Sequence, residues 1–264
     1  GLFVGSASRI DVSDTQHVMP GLIVHFGKVA EGTVTVGDTI DARVDAVRRE
    51  DTARNHTATH LLHAALRQVL GAHVRQSGSL VAPDRLRFDF SHVEAMSEEE
   101  ISQVQWLVNE HIRQDVSVYK SEDTYTSAIE RGALAFFGDK YDEFVRLVEI
   151  ANGDVFSFEV CGGTHVHRTG ELGAVYIQGE SSIGAGMRRI EAVSGREAER
   201  MVNGYIHRDR ELSKLLKTGQ RGIPKKVQEL QEKLAILNRE KEILQRRLLL
   251  ESSKELLKLR KDVE

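Results

Sequence analysis

The spacing of apolar residues changes twice along this chain, and these changes constrain the fold more than any other feature of the sequence. Residues 8–47 alternate apolar and polar side chains and are rich in β-branched residues, a pattern typical of short strands. Apolar residues then recur at helical spacing over 52–71, and helices and strands alternate up to about residue 195. Beyond that point the pattern is helical only. The sequence therefore predicts an α+β fold with a β unit first and long helices last.

Local start and stop signals place the main elements. The helix predicted over 52–71 ends at Gly71, a residue type common just after helix ends. A second helix, 97–115, is expected to begin at Ser97, because Glu100 follows three residues later as in a capping box. Strands are predicted at 86–92, 116–120, 144–150, 155–160 and 173–178.

Three regions follow from these patterns. Residues 1–51 are expected to form part of a small β-barrel, residues 52–195 an α+β core, and residues 196–264 a helical region. Within the last region, one helix is predicted over 196–217, followed by a break over 218–224.

The segment 225–264 has the residue spacing of a coiled coil. Its apolar positions repeat at alternating steps of three and four residues, which is the seam pattern of paired helices. Lys241 interrupts this seam, and a long helix packed on its own domain is the alternative. Self-association through residues 225–264 is therefore predicted. The seam residues are Val227, Leu230, Leu234, Leu237, Leu244 and Leu248.

Composition argues against several classes of protein. No stretch reaches the roughly 18–20 apolar residues that a membrane span needs, so no membrane partner is expected. The net charge of −4 argues against a general nucleic-acid binder, and no DNA partner is expected. The single cysteine, Cys161, excludes an intramolecular disulfide and favours a reducing, cytoplasmic location. No signal peptide is recognised, and the first residue is Gly1 rather than Met, which favours a processed chain or an excised fragment.

Charge is distributed unevenly along the chain. Residues 1–195 carry 18 Lys and Arg against 28 Asp and Glu, whereas residues 196–264 carry 18 against 12. An acidic body with a basic tail permits RNA contact at one end without identifying the RNA.

Two pairs of metal-ligand residues share one spacing. His56 and His60 are four residues apart, so a helix over 52–71 directs both imidazoles to one place. Cys161 and His165 repeat this offset across a Gly-Gly turn. Three imidazoles and one thiolate are ligand types that tetrahedral zinc takes. The alternative is an inert buried thiol with solvated histidines, because spacing alone does not bring the two pairs together.

Two further histidines lie near these pairs. His63 would be about two turns from His56, too far for a shared ion, and is expected to pack beside the site. His167 follows His165 by two residues, and an extended strand would put both on one face. The spacing leaves the role of His167 open.

Three stretches carry a family signature. “RNHTATHLLHAALRQVLGAHVRQSGSLVAPDRLRFDFSH”, “FSFEVCGGTHVHRTGELG” and “IGAGMRRIEAVSG” closely resemble the editing domain of alanyl-tRNA synthetases, over roughly residues 20–195. The helices that follow resemble the linker toward the C-terminal dimerisation region of that family. Threonyl-tRNA synthetases and free-standing alanyl-editing proteins share the HxxxH and CxxxH scheme. “RFDFSH” and the long C-terminal helix favour the alanine family.

The resemblance implies a zinc-containing editing core. It implies that His56, His60, Cys161 and His165 bind one zinc ion, with His167 outside the ligand set. It also implies hydrolysis of the ester of tRNA(Ala) wrongly charged with serine or glycine, so the expected partner is the acceptor end of that tRNA. Four protein ligands leave no open position, so we expect zinc to position the aminoacyl group, or to exchange one ligand for water, rather than to act as a fixed hydroxide source.

Thr59 and Gln76 match positions that the resemblance associates with the editing pocket. A hydroxyl and an amide there suit hydrogen bonds to the hydroxyl of serine or to the attacking water. The plainer interpretation is that Thr59 is only a helix residue and Gln76 only a loop amide.

Two departures from the family pattern limit the expected function. The aminoacylation domain is absent from this sequence, so the chain is not expected to activate alanine or to use ATP. The glycine-rich segment that usually opens the β unit of the editing module is also missing. The alternatives are a free-standing deacylase, a non-catalytic zinc-stabilised tRNA-binding module and a pure oligomerisation fragment.

Two groups of charged residues complete the candidates. Arg87 and Asp89 share one strand face, where they either pair with each other or border the pocket. Arg188 and Arg189 follow two glycines and are candidates for contact with phosphate. “GAGMRR” is not a dinucleotide-binding fingerprint, because Arg189 stands at its third glycine position.

Overall fold

The computed structural model describes residues 1–19, 22–136 and 141–261, with side chains up to residue 254. The chain divides into two compact units, Gly1–Arg200 and Met201–Glu264. The first unit is a mixed α+β structure, which confirms the predicted fold class at that level. In the described part of the chain, no helix is both long and apolar enough to cross a membrane.

The elements have the following bounds. The helices are α1 (Ala46–Leu70), α2 (Glu98–Arg113), α3 (Tyr125–Glu130), α4 (Gly195–Leu216) and α5 (Ile223–Lys261). The strands are β1 (Leu2–Val4), β2 (Arg9–Met19), β3 (Leu22–Glu31), β4 (Asp41–Arg43), β5 (Gln76–Val81), β6 (Leu86–Ser91), β7 (Ser117–Thr124), β8 (Phe144–Asn152), β9 (Asp154–Val160), β10 (Val175–Gly184) and β11 (Met187–Ser194). They form three antiparallel sheets.

The N-terminal sheet has the order β3-β2-β1-β4. Its short strand β1 pairs with both β2 and β4, so that Leu2 lies opposite Asp11 on one side and Arg43 on the other. Within the described residues, β3 and β4 are the two edges and do not pair with each other. The partial barrel predicted for residues 1–51 is thus observed as an open antiparallel sheet, without closure.

Helix α1 begins six residues before the predicted start at residue 52, because Asp45 caps it. The Asp45 carboxylate accepts a hydrogen bond from the backbone N–H of Arg48 at 3.0 Å, which satisfies one of the free donors of the first turn. The helix ends before Gly71, whose N–H donates to the carbonyl of Arg67. The domain boundary predicted after residue 51 therefore lies inside α1. That boundary and the one predicted after residue 195 stay predictions.

The main core forms where α1 meets the central sheet, whose order is β10-β11-β6-β5. Leu61 and Leu62 of α1 belong to the same buried cluster as Phe88 and Phe90 of β6. Each such side chain contributes roughly 1.5–3 kcal/mol when it is fully removed from water. Helix α1 also contacts β9, an edge strand of the third sheet, β7-β8-β9. This contact sets the loop after β9 beside the histidines of α1.

Helix α2 has the predicted capping box. Ser97 accepts from the backbone N–H of Glu100 at 3.2 Å, and the Glu100 carboxylate accepts from the N–H of Ser97 at 2.8 Å. Val104, Val108 and Ile112 recur at four-residue steps and are buried in the main core.

The second unit is built on α5. The predicted seam residues lie on this helix and are between 40% and 62% exposed. The coiled coil predicted for 225–264 stays a prediction.

Candidate metal centre

Helix α1 carries two of the predicted ligands on one face, as their spacing requires. The rings of His56 and His60 stack with centroids 5.6 Å apart and planes at 18°. The next residues, Leu61 and Leu62, are fully buried against the central sheet. The packing of α1 therefore fixes where both imidazoles lie.

The loop after β9 carries the other two predicted ligands. Cys161 Sγ lies 3.4 Å from His56 Nε2 and 3.3 Å from His165 Nε2. Gly163 permits this approach, because a Cβ at that position would lie only 1.9 Å from Cε1 of His56. One possible ligand atom from each of the four predicted residues consequently lies within 4.8 Å of the others. We refer to His56, His60, Cys161 and His165 as the ligand cluster.

The donor atoms of the ligand cluster fit a tetrahedral metal ion. Bonds of about 2.3 Å to sulfur and about 2.0 Å to nitrogen place two such atoms about 3.5 Å apart. The two measured sulfur–nitrogen distances, 3.4 and 3.3 Å, agree with this value. In addition, His60 Nε2 is buried and has no hydrogen-bond partner among the described residues. Burying such a nitrogen without a partner costs free energy of folding, and coordination to a cation would remove this cost.

Hydrogen bonds orient two of the rings with Nε2 as the lone-pair atom. His60 Nδ1 is 2.8 Å from Glu159 Oε2, and an ionised carboxylate only accepts, so this Nδ1 carries the hydrogen. The Thr57 hydroxyl donates to the carbonyl of Ala53 at 3.0 Å and accepts from His165 Nδ1 at 3.3 Å. Metal-bound histidines are commonly oriented by such contacts to the nitrogen that faces away from the metal.

Electrostatics favour the ligand forms of Cys161 and His165, and they favour a positive charge at His60. Burial raises the pKa of the Cys161 thiol, but hydrogen bonds with the cluster histidines outweigh burial and lower this pKa to about 3. Burial lowers the pKa of His165 to about 4, which favours its neutral ring. Burial also opposes charge on His60, yet attraction by Glu159 and by the Cys161 thiolate raises its pKa to about 10. A thiolate and a carboxylate thus attract positive charge to this position.

Glu159 is a site residue that the sequence reasoning missed. Its side chain is 3% exposed and lies 2.8 Å from Nδ1 of His60 and 2.8 Å from Nδ1 of His63. Ser157 adds a third contact, with its hydroxyl 3.3 Å from Oε1. Burial raises the pKa of Glu159, but the two histidines outweigh it and hold this pKa well below its usual range. One feature of the sequence could have indicated Glu159: it is a single acidic residue in the apolar end of the strand predicted at 155–160, two residues before the only cysteine.

The two other histidines lie outside the ligand cluster. His63 is fully buried, and its ring packs edge-on against Phe136 with centroids 4.8 Å apart and is tilted against Phe88 at 5.3 Å. His167 is exposed, and its backbone carbonyl accepts from the N–H of Val118 at 2.9 Å.

Thr59 and Gln76 make local hydrogen bonds and none to the ligand cluster. The Thr59 hydroxyl is buried and donates to the carbonyl of Asn55, one helical turn earlier, at 2.9 Å. The Gln76 amide, which lies on β5 rather than in a loop, donates from Nε2 to the Ser79 hydroxyl at 2.9 Å. Thr57, which sequence reasoning did not single out, is the threonine of α1 that contacts a ligand residue.

The charged pairs near the central sheet neutralise one another. Asp89 lies 3.5 Å from the Arg87 guanidinium and accepts two hydrogen bonds from Arg189, at 2.7 and 2.8 Å. Arg188 makes a two-pronged ion pair with Glu180, including one bond of 2.7 Å. The side chains of both candidate phosphate contacts are therefore occupied by carboxylates.

Cavities adjoin the ligand cluster on more than one side. One of about 500 Å³ includes Cys161 and Gly163, with Lys120 and Arg146 on its wall. Another of about 400 Å³ includes His165. A third, of about 260 Å³, reaches Glu159. The arrangement offers space next to a group of residues that could hold a metal ion, which suits a small polar substrate.

Comparison with known proteins gives a consistent family. The family model for the threonyl and alanyl tRNA synthetase second additional domain matches residues 145–191, which include Cys161 and His165. Alanine–tRNA ligase from Chloroflexus aurantiacus is 49% identical over 227 residues, covering 83% of this chain and 25% of the relative. These matches confirm the resemblance to alanyl-tRNA synthetases.

Two further relatives extend the match toward both ends of the chain. Alanine–tRNA ligase from Dehalococcoides mccartyi is 43% identical over 262 residues, covering 99% of this chain and 30% of the relative. The corresponding protein from Thermus thermophilus is 46% identical over 251 residues, covering 94% of this chain and 28% of the relative. The chain thus spans between a quarter and three tenths of the length of these relatives.

Proposed function

Because the chain belongs to the alanine–tRNA ligase family, as a segment of such a protein, we propose that it is an editing unit that hydrolyses tRNA(Ala) mischarged with serine or glycine. The observation that carries this proposal is the convergence of His56, His60, Cys161 and His165 on one point, with cavities beside it. An aminoacyl ester is already activated, so such a site needs to place a water, stabilise an oxyanion and discriminate side chains.

Zinc is the ion that we propose for the ligand cluster, because three imidazoles and one thiolate are ligands that it takes. When bound, it supplies a fixed positive charge and Lewis acidity beside the ester. The residues of the chain bind the ion and orient its ligands. Cys161 and the three histidines hold the site, while Thr57 and Glu159 fix the ring orientations of His165 and His60. Four protein ligands suit positioning of the aminoacyl group better than supply of a fixed hydroxide.

Thr59 and Gln76 are the residues that we propose to face the substrate. The Thr59 hydroxyl uses its hydrogen on the carbonyl of Asn55, so its oxygen is left as an acceptor. Gln76 uses Nε2 on Ser79, which leaves its amide oxygen as a second acceptor. Two acceptors suit the hydroxyl of a seryl group or the hydrogens of the attacking water. A site of this kind removes the serine and glycine that a synthetic site built for alanine admits.

The reaction is a simple ester hydrolysis. The water oxygen bonds to the carbonyl carbon, the bond from this carbon to the ribose oxygen breaks, and that oxygen takes a proton. The products are the free amino acid and tRNA(Ala) with its terminal hydroxyl restored.

The test measures hydrolysis and metal content together. The purified chain is expected to carry about one zinc per chain and to release serine and glycine from tRNA(Ala) at least tenfold faster than alanine. Treatment with a chelator is expected to abolish hydrolysis, and zinc is expected to restore it while magnesium, which prefers oxygen ligands, does not. Absence of zinc at one equivalent, or equal rates with and without chelator, would contradict the proposal.

A non-catalytic, zinc-stabilised tRNA-binding module is the second candidate function. It is favoured by the number of ligands, because a closed four-ligand site is typical of structural zinc. The same assay separates the two functions. Binding of tRNA(Ala) without hydrolysis of any of the three esters would replace the editing proposal with this one.

Self-association through residues 225–264 is a further part of the proposed function. A chain that ends at Gly222 lacks the exposed apolar seam of α5 and is expected to sediment as a monomer, whereas the full chain is expected to sediment at a multiple of its mass. Analytical ultracentrifugation at several concentrations measures both masses. Equal association states for the two chains would remove the coiled coil from the proposal.

A further inference from the structure

A cavity of about 480 Å³ lies between the N-terminal sheet and the first turns of α1. Residues of β1, β2 and β4 form one side, and Arg48 and Arg49 of α1 lie on the other. Thr164 also lines this cavity and immediately precedes the ligand residue His165. The cavity therefore ends at the loop that carries half of the ligand cluster.

A second cavity, of about 400 Å³, adjoins the first. The two have Arg49 and Thr164 in common, and the second also includes His165. Arg49 consequently lies where one cavity meets the other, on the path from the N-terminal sheet to the ligand cluster.

Two arginines on this path, Arg48 and Arg49, differ from most others in the unit, including Arg43 and Arg54, which also line the cavities but pair with carboxylates. Within the described part of Gly1–Arg200, most arginine side chains contact carboxylates or backbone carbonyls. Three have no hydrogen-bond or ion-pair partner there: Arg48, Arg49 and Arg75. Two of the three are neighbours and line the same cavity.

The charge of the region makes these free cations unusual. Residues 1–195 carry ten more acidic than basic residues, 28 against 18, so carboxylates are plentiful. The carboxylates beside the cavity are already engaged: Asp45 caps α1, and Asp14 accepts from the Thr15 backbone and the Gln16 amide. Arg48 and Arg49 are exposed, so their guanidinium groups are available to bind an anionic ligand.

We propose that Arg48 and Arg49 bind backbone phosphates of the single-stranded RNA end whose terminal ester reaches the ligand cluster. The planar guanidinium matches phosphate oxygens with two parallel hydrogen bonds, and it stays charged at any physiological pH. The path runs past these two guanidinium-bearing residues toward the ligand cluster. It therefore suits a nucleotide strand whose backbone phosphates contact the arginines and whose 3′-terminal ester reaches the cluster. This inference rests on the proposed function and adds to it the site of the substrate backbone.

The test uses the full chain with Arg48→Ala and Arg49→Ala combined. Binding of tRNA(Ala) is measured by fluorescence anisotropy at several salt concentrations. Loss of two phosphate contacts on a single strand is expected to lower the slope of log affinity against log salt by about 1.4 and to weaken binding about tenfold at low salt. Deacylation of seryl-tRNA(Ala) is expected to show a raised KM with unchanged kcat. Hydrolysis of 3′-seryl-adenosine, which has no phosphate, is expected to stay at the wild-type rate.

A matched control separates specific contacts from general charge. Arg85→Ala combined with Arg113→Ala removes the same charge from exposed positions that line neither cavity, and is expected to leave slope and KM unchanged. Arg48→Lys with Arg49→Lys is expected to retain most of the salt slope. Two results would overturn the inference. In one, the control weakens binding as much as the test variant. In the other, inorganic phosphate binds to these arginines while RNA affinity does not depend on them.

The same measurements separate this inference from the proposed editing function. If the wild type hydrolyses neither seryl-tRNA(Ala) nor 3′-seryl-adenosine, and the double variant binds RNA more weakly than the wild type, the editing function fails and the RNA site stands.

Discussion

Replacing Gly163 by alanine is expected to lower the zinc affinity of the ligand cluster more than about 100-fold and to abolish deacylation. A Cβ at Gly163 would lie 1.9 Å from Cε1 and 2.3 Å from Nδ1 of His56, far inside van der Waals contact. Either the His56 ring or the loop that holds Cys161 and His165 must move away. Since the loss of a residue that merely orients a ligand costs about 10- to 100-fold in metal affinity, displacement of a ligand itself should cost more.

The neighbouring glycine provides a matched control. A Cβ at Gly162 would meet no atom within 4 Å among the described residues, so Gly162→Ala is expected to bind zinc and to hydrolyse seryl-tRNA(Ala) like the wild type. Both changes restrict the unfolded chain equally, so a difference between them reports on the folded site. Competition with a chromogenic chelator measures the affinities. Wild-type affinity in the Gly163→Ala chain would mean that the loop does not approach His56 as closely as observed.

Much of the fold could be predicted because hydrophobic periodicity reports it directly. The helices at 97–115 and 196–217 and the strands at 144–150 and 155–160 correspond to α2, α4, β8 and β9 with ends shifted by a few residues. Elements with polar or glycine-rich sequences were missed. Strand β5, “QSGSLV”, and strand β11, which contains two adjacent arginines, have little apolar alternation. Their stability comes from pairing with β6 in the central sheet, a tertiary effect that a local pattern does not contain.

The start of α1 was missed for a different reason. Apolar spacing indicates the buried part of a helix, and here the buried residues begin at Ala53. The first seven residues of the helix lie mostly at the surface, and the Asp45 cap that starts them stands in a strand-like sequence. Arg48 and Arg49 lie in this early turn, so their position beside the cavity also escaped prediction.

The ligand cluster could be predicted in part from residue chemistry. Helical spacing places His56 and His60 on one face, and the same offset links Cys161 to His165, but only the contact of α1 with β9 brings the pairs together. A long-range contact of this kind is set by packing of the whole core. The partners that orient the rings, Thr57 and Glu159, depend on the same packing and therefore could not be derived from spacing.

Replacing Glu159 by glutamine is expected to lower zinc affinity about 10- to 100-fold, since the carboxylate orients His60, one of the four proposed ligands. Its two oxygens each accept from a histidine Nδ1 at 2.8 Å, one from His60 and one from His63. Glutamine has a single acceptor oxygen, so one of these N–H groups would face an amide donor inside the core. Loss of a hydrogen bond to a charged group costs about 1.5–3 kcal/mol, so the free energy of unfolding should fall as well. Calorimetry and chelator competition measure the two effects.

Separating orientation of His60 from general destabilisation requires a readout that a structural defect would leave unchanged. With cobalt(II) in place of zinc, a reoriented His60 should alter the visible absorption bands at temperatures where the variant is fully folded. Two variants serve as controls. Glu149→Gln, on the paired strand β8, removes a carboxylate that has no hydrogen-bond partner in the described part of the chain. Ser157→Ala removes only the 3.3 Å contact between the Ser157 hydroxyl and Glu159. Both are expected to bind metal like the wild type. If Glu159→Gln melts earlier yet binds zinc with wild-type affinity and an unchanged cobalt spectrum, Glu159 stabilises the core without positioning the ligand. If affinity falls while the fold persists, the carboxylate shared by His60 and His63 is part of what makes the four-residue cluster a metal site.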